Sequence, residues 1–185
     1  MAGHLTRLAV VAALSLTAAA CASAPPANVS FNESSYAAAP ARGHIEYPRR
    51  PLQCVAYARA RSHIALYGDA WTWWRQAPGR YPRSHTPQPG AVMVLDRYAG
   101  PRRAHLAYVR EIVSPRQIVV DHANWLDRGD IHVGDAVEDV SADNDWSEVR
   151  VFNLATGAWG GHGYHVRGFI GPATEPAPMR VAADD

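Results

Sequence analysis

The chain has 185 residues, with 18 lysines and arginines against 17 aspartates and glutamates, and a formal net charge of +1 at pH 7. A charge this close to zero excludes a strongly basic nucleic-acid-binding protein and gives no attraction to an anionic membrane surface. Hydrophobic residues make up 48% of the chain, and its length is sufficient to bury one core.

The first twenty residues predict an export signal. Arg7 is followed by an apolar run from Leu8 to Ala20, which is too short to remain as a membrane span. The small residues before Cys21 fit two outcomes: ordinary signal cleavage, or a lipobox that leaves Cys21 acylated and the protein anchored to a membrane. We therefore expect a bacterial protein of the periplasm, either a membrane-anchored lipoprotein or a secreted protein.

Composition then predicts the domain organisation. Residues 21–43 are rich in Ala, Pro and Ser and show little periodicity, as is typical of a flexible tether, and residues 172–185 form a similar disordered tail. Residues 44–171 remain, and this length is that of one domain.

The first predicted elements of the domain are two helices. The stretch from Gln53 to Tyr67 contains no Gly or Pro, is rich in Ala and Arg, and precedes Gly68, so we predict a helix that begins at or next to Cys54. A second, shorter helix is predicted over Ala70–Arg75.

Strands follow the helices. Five apolar stretches bounded by turn residues are typical of strands, and they read PQPGAVMVLD, RAHLAYVREIV, RQIVVDHANW, SEVRVFNL and YHVRGFIG. Because helices come first and strands afterwards, the sequence predicts an α+β fold and not an alternating α/β fold.

Cys54 is unpaired if Cys21 is acylated, since the chain has two cysteines. Three interpretations stay open: a buried apolar residue, a disulfide with Cys21, and a nucleophile. The start of a helix favours the last, because unpaired backbone N–H groups and the helix dipole stabilise a thiolate. We therefore expect the pKa of Cys54 to be lowered.

The period-2 patterns of two neighbouring predicted strands place polar side chains where they could act together with a cysteine nucleophile. His105 shares a strand face with apolar residues, and on the next strand His122 and Asn124 share one face while Asp121 points to the other. A nucleophile, a base and a group that orients the base are the parts of a covalent hydrolytic site.

Other chemistry-bearing residues have separate interpretations. Trp71, Trp73 and Trp74 follow the Cys54 helix and are candidates for the lining of a groove that binds glycan or peptide. The histidines of HGYH lie in strand-like surroundings that do not suit zinc, and Asp130 and His132 are interpreted as loop residues. No metal or cofactor is predicted.

The motifs LQCVAYA, PQPGAVMVL, AHLAYV and IVVDHANW, in this order, resemble the CHAP domain, a cysteine- and histidine-dependent amidohydrolase/peptidase related to the NlpC-type hydrolases. The resemblance implies a papain-like fold in which an N-terminal helix carrying the cysteine packs on an antiparallel β-sheet. It also implies that Cys54 is the nucleophile and His105 the general base. His122 stands where many members have glutamate and would orient His105, with Asn124 as a second polar contributor.

The implied reaction is acyl transfer on peptidoglycan. Either the amide between N-acetylmuramic acid and L-alanine or a peptide bond within the stem or cross-bridge would be cut. The backbone N–H of Cys54 is the first candidate to stabilise the oxyanion, and Gln53 and Tyr47 are further candidates. The alternatives are a non-catalytic peptidoglycan-binding or scaffold module on the same fold, a toxin-like amidase, and a zinc-dependent amidase.

Overall fold

The computed structural model describes residues 43–126 and 128–173. The predicted signal, Cys21, nearly all of the tether and residues 174–185 of the predicted tail lie outside this part of the chain. The elements in chain order are β1 His44–Glu46, α1 Cys54–Ser62, α2 Ala70–Gln76, β2 Arg83–Ser84, β3 Val92–Leu95, β4 His105–Ser114, β5 Gln117–Ala123, β6 Ile131–Asp139, β7 Glu148–Asn153, β8 Ala158–Trp159 and β9 Tyr164–Ile170. None of the described helices is long and apolar enough to cross a membrane.

Six antiparallel strands form a closed barrel. Neighbouring strands pair in the order β6, β5, β4, β3, β9 and β7, and β7 pairs again with β6. The predicted α+β papain-like fold with an N-terminal helix is therefore wrong. The described chain is mostly β, strand β1 precedes α1, and the two helices have only nine and seven residues.

The sequence patterns did not predict β1, β2, β6 and β8, and the error about the fold has its physical cause in β6. The buried positions of β6 include His132, Gly134 and Asp135, so the strand lacks the alternation of apolar and polar residues that marks a half-buried strand. Strand β6 pairs with both β5 and β7 and so closes the barrel. A prediction that omits β6 therefore gives an open sheet.

Alternating side chains separate two hydrophobic cores. On β3, Met93 and Leu95 belong to the cluster inside the barrel, whereas Val92 and Val94 belong to a second cluster between the barrel wall and the helices. Leu106 on β4 also faces the helices. His105 and Leu106 are the first two residues of β4 and face opposite sides of the barrel wall. The N-terminal end of β4 therefore lies where the two cores meet.

Helix α1 begins at Cys54, as predicted, and ends five residues earlier than predicted. His63 ends it in the left-handed conformation, with φ of 58° and its N–H bonded to Arg59 O. Arg61 anchors the helix to β5 through Asp121, with 3.0 Å between the guanidinium and the carboxylate. This contact fixes α1, and with it Cys54, against the strands that carry the candidate histidines.

Candidate active site

Cys54 and His105 line the same cavity, which has a volume of about 460 Å³ and is called the Cys54 cavity below. Cys54 is the first residue of α1, and His105 is the first residue of β4. Cys54 packs against the apolar cluster that includes Leu106, the residue next to His105. The structure therefore brings together the candidate nucleophile and the candidate base.

The thiol of Cys54 is not activated in the way that the helix start predicts. Burial raises its pKa above the ordinary value of 9.0, although backbone hydrogen bonds and the charge of Arg103 act in the opposite direction. Desolvation disfavours the thiolate more than the helix start favours it. At neutral pH the sulfur therefore carries its proton, and attack on a carbonyl requires a base.

His105 is in the neutral form that a base needs. Its side chain is buried, and this burial, followed by the neighbouring His122 and His132, holds its pKa well below the ordinary value of 6.5. Tyr98 and Trp125 cover the imidazole, with ring centroids 5.3 and 4.9 Å away. These two rings contribute to the burial that lowers the pKa of His105.

A chain of hydrogen bonds leads from His105 into the barrel and is called the His–His–Asp chain below. His105 Nε2 lies 3.0 Å from His122 Nδ1, and His122 Nε2 lies 2.6 Å from Asp135 Oδ2. His132 Nδ1 reaches the same carboxylate oxygen at 3.0 Å. All four side chains are at most 2% exposed.

The carboxylate at the end of this chain determines where the protons lie. Burial acts to raise the pKa of Asp135, but the hydrogen bonds from His122 and His132 outweigh it and leave the pKa below the ordinary 3.8. Ionised Asp135 only accepts hydrogen bonds, so Nε2 of His122 donates to it, and the tautomer that carries its single proton on Nε2 presents Nδ1 to His105 as an acceptor. His105 then donates through Nε2 and keeps an unprotonated Nδ1. In this arrangement Nδ1 is the atom of His105 that can accept a proton.

Asp135 reaches His122 because β6 contains a bulge. Val120 pairs with Asp135 and Asp121 pairs with Val133, so Gly134 is the extra residue, with φ of 79°. Residues 132 and 135 would face opposite sides of a regular strand, and the bulge brings both to the barrel interior. Sequence reasoning missed Asp135 and placed His132 in a loop. A glycine inside the stretch IHVGDAVED was the signal for a bulged strand.

A comparison with protein-family models supplies the identification. The model of the CHAP domain matches residues 30–124, just over half of the 185-residue chain, and the match includes Cys54, His105, His122 and Asn124. The chain belongs to the CHAP domain family. CHAP domains are generally amidohydrolase or peptidase domains. A comparison with curated proteins finds no match, and neither does a comparison with solved structures.

In this CHAP domain His122, and not Asn124, is the residue bonded to His105. Asn124 instead donates through Nδ2 to Gln53 Oε1 at 3.0 Å and accepts from the N–H of Gly129 at 2.8 Å. Leu52 N–H bonds in turn to Gly129 O. Asn124 thus holds the segment that leads into α1 and orients the Gln53 amide beside Cys54.

Gln53 and Tyr47, the two side chains predicted as oxyanion donors, have different surroundings. Gln53 lines the Cys54 cavity, and because its Oε1 is bonded to Asn124, its Nε2 is the group left to donate. Tyr47 is 76% exposed and is not part of the cavity lining. The prediction for Tyr47 finds no support in this geometry.

The three tryptophans of α2 also differ in their surroundings. Trp73 is 0% exposed, inside the cluster between the barrel wall and the helices, and lines neither cavity, so the structure gives no support to its prediction as a substrate-binding residue. Trp71 lines the Cys54 cavity, and both Trp71 and Trp74 line a neighbouring cavity. Helical spacing explains the difference, because consecutive residues of a helix face different directions.

His122, His132 and Asp135 also form a group whose donor atoms lie within 4.8 Å of one another, as metal ligands do. The 2.6 Å between His122 Nε2 and Asp135 Oδ2 is a hydrogen-bond distance. These residues therefore act as a hydrogen-bonded chain, and the chemistry below uses no metal.

Proposed function

We propose that this CHAP domain is a cysteine amidohydrolase that cleaves an amide bond in peptidoglycan through an acyl-enzyme on Cys54. The observation that carries the proposal is the His–His–Asp chain, because it occupies Nε2 of His105 and leaves Nδ1 as the proton acceptor of a residue that lines the same cavity as the thiol. A non-catalytic binding module has no use for a buried carboxylate that orients two imidazoles, since burying these groups costs free energy.

The first half of the reaction forms the acyl-enzyme. As Cys54 Sγ attacks the carbonyl carbon, Nδ1 of His105 takes the thiol proton, so a C–S bond forms while the S–H bond breaks. The oxygen becomes an oxyanion, and the backbone N–H of Cys54 and Nε2 of Gln53 stabilise it. Protonated His105 then gives its proton to the nitrogen of the substrate, the C–N bond breaks, and the amine leaves.

The second half releases the product. Neutral His105 takes a proton from water, the hydroxide oxygen attacks the thioester carbon, and the C–S bond breaks as the proton returns to sulfur. In both halves His105 becomes a cation inside a buried site. Asp135 offsets this charge through His122, in the place of the glutamate that many family members have at position 122.

Peptidoglycan is proposed as the substrate because the chain belongs to the CHAP family and begins with a predicted export signal. An exported protein of the periplasm, secreted or anchored through acylated Cys21, meets this polymer. The cleaved bond is either the amide between N-acetylmuramic acid and L-alanine or a peptide bond in the stem or cross-bridge. Both are amides that the same attack on carbon would cleave.

Mass spectrometry of muropeptides tests the proposal. Purified protein is incubated with intact sacculi, and the Cys54→Ala variant, checked for folding by circular dichroism, is the control. We expect new products only with the wild-type protein, and their masses identify the bond. No products from folded wild-type protein would overturn the enzyme and favour the peptidoglycan-binding module.

A further inference from the structure

A second cavity adjoins the Cys54 cavity. Its volume is about 680 Å³, and Trp71 lines both cavities. The second cavity is bounded by α2, by the chain after β3 and by β9, and the residues that matter here are Trp71, Trp74, Arg75, Asp96, Arg97 and Arg167. A ligand that extends from Cys54 past Trp71 enters this cavity.

The charges in the second cavity favour an anion. Three arginines line it against one carboxylate, that of Asp96, which is already bonded to Arg167 at 2.7 Å. Within the described part of the chain, no carboxylate pairs with Arg75 or Arg97. Both residues are exposed, so their guanidinium groups are open to a ligand. Arg75 lies over the Trp71 ring, 5.4 Å from its centroid.

The apolar wall of this cavity depends on a glycine. A Cβ at Gly168 would lie 2.5 Å from Cη2 of Trp74 and 2.7 Å from Ser84 O, so only a residue without a side chain lets the indole lie against β9. Arg83 covers the indole, 4.7 Å from the ring centroid. Trp74 is therefore held in one place by its surroundings.

We propose that Trp71, Trp74, Arg75, Arg97 and Arg167 form a subsite, called the arginine subsite, for a free carboxylate on the peptide part of the substrate. Arginine binds a carboxylate through two parallel N–H···O bonds and keeps its charge at every physiological pH. The parts of the Trp71 and Trp74 indoles that line the cavity and are not covered by Arg75 and Arg83 contact the apolar stem of the residue that carries the carboxylate. The inference rests on the proposed function for its peptidoglycan substrate.

The arginine subsite makes the protein selective for charge at a position away from the cleaved bond. A stem peptide with a free side-chain or terminal carboxylate binds in it, whereas the same peptide with a carboxamide loses the charge-assisted hydrogen bonds. The selectivity weakens as salt rises, because the arginines are exposed and screened. Among peptidoglycans, those with free stem carboxylates are therefore preferred over amidated ones.

Binding to the Cys54→Ala protein tests the subsite without cleavage. Isothermal titration compares two synthetic stem peptides that differ only in carboxylate against carboxamide. We expect the carboxylate form to bind about tenfold more tightly, a difference of about 1.4 kcal/mol. Adding Arg75→Gln or Arg97→Gln to the Cys54→Ala protein is expected to remove most of this preference. Arg49→Gln is the matched control, because Arg49 is exposed and lines neither cavity.

The outcomes separate this proposal from the proposed function. Equal binding of the two peptides, or equal effects of the Arg75, Arg97 and Arg49 substitutions, would overturn the arginine subsite even if the wild-type protein cleaves sacculi. A carboxylate preference that depends on Arg75 and Arg97 supports the subsite even if no cleavage is found.

Discussion

Asp135 accepts a hydrogen bond from His122 at 2.6 Å, and through it determines which nitrogen of His105 carries a proton. The carboxylate does not contact the Cys54 cavity, so Asp135 is a positioning residue and not a catalytic one. In the proposed mechanism its charge nevertheless has to be present for Nδ1 of His105 to act as a base. The predictions below test this arrangement from several sides.

Asp135→Asn should lower kcat by roughly 10- to 100-fold, or about 1.4–2.7 kcal/mol in the barrier, with little change in KM. An amide can donate to His122, which reverses the chain and places the proton on Nδ1 of His105. The readout is kcat and KM on a soluble muropeptide across pH, because the acid limb of the profile should move as well. If the pH profile of kcat is unchanged and only the stability of the variant is lower, Asp135 has a structural role and does not position His105.

His122→Ala should lower turnover more than Asp121→Ala, although the two residues are adjacent on β5. His122 is bonded to His105, whereas Asp121 faces Arg61 and Arg110 at 3.0 and 3.3 Å. Asp121→Ala should instead lower the free energy of unfolding by about 1–3 kcal/mol, less than for a fully buried pair because both arginines are half exposed. Activity per folded molecule and urea unfolding measure the two effects. The reverse order of turnover would contradict the assignment of strand faces.

The activity of the protein should stay constant over a broad range of pH. The pKa of His105 lies well below 6.5 and that of Cys54 lies above 9.0, so the neutral pair that reacts persists between them. kcat/KM should fall only when His105 is protonated, well below pH 6.5, or when the thiol ionises. An acid limb near 6.5 would show that His105 is not desolvated.

The same shift of His105 predicts how stability depends on pH. A histidine whose pKa is lowered by folding binds fewer protons in the folded than in the unfolded state between the two pKa values. Its contribution is therefore fully present above pH 6.5 and is lost as the pH falls toward the pKa of the folded protein. Thermal unfolding should show a lower Tm on this acid side. His105→Gln should weaken the dependence.

Alkylation of Cys54 by iodoacetamide should require a higher pH than alkylation of a free thiol. Burial raises the pKa of Cys54 above 9.0, and only the thiolate reacts rapidly. Mass spectrometry of the modified protein gives the rate at each pH, with the protein unfolded in urea as the reference. A midpoint below that of the unfolded chain would support instead the activated thiolate that the helix start predicts.

Gly134→Ala should remove activity and lower stability together. A side chain at φ of 79° costs about 1–2 kcal/mol, and relief of this strain moves Asp135 away from His122. Gly157→Ala is the control, since Gly157 also has positive φ, at 67°, and its Cβ would meet nothing within 4 Å. Both variants should lower Tm, but only Gly134→Ala should lower kcat. Equal kcat values for the two variants would show that activity does not depend on the bulge.

Local sequence patterns were sufficient to predict the positions of some residues of the candidate site. The start of α1 at Cys54 and the faces of His105 and His122 follow from helix and strand periodicity, which depends only on neighbouring residues. Strand parity placed both His122 and Asn124 within reach of His105, and in the structure His122 is the one bonded to it. Asp121 also points away from His105, as its position on β5 predicts.

The rest depends on contacts that are distant in sequence. Asp135 joins the site through a bulge, which shifts the parity of β6, and through pairing with β5. The raised pKa of Cys54 comes from burial against β4, which no helix pattern contains. Barrel closure was missed for a related reason: β6 uses its buried positions for His132 and Asp135, so the strand that completes the fold does not look like a strand.

Closure of the barrel also limits how this protein can change. Strand β6 is paired along one edge with β5 and along the other with β1 and β7, so it cannot slide without breaking two ladders. Since a shift by one residue exchanges the two faces of a strand, an insertion or deletion in β6 would carry Asp135 out of the interior. An insertion in an exposed loop would leave these ladders intact, whereas one in β6 would break both the closed barrel and the His–His–Asp chain.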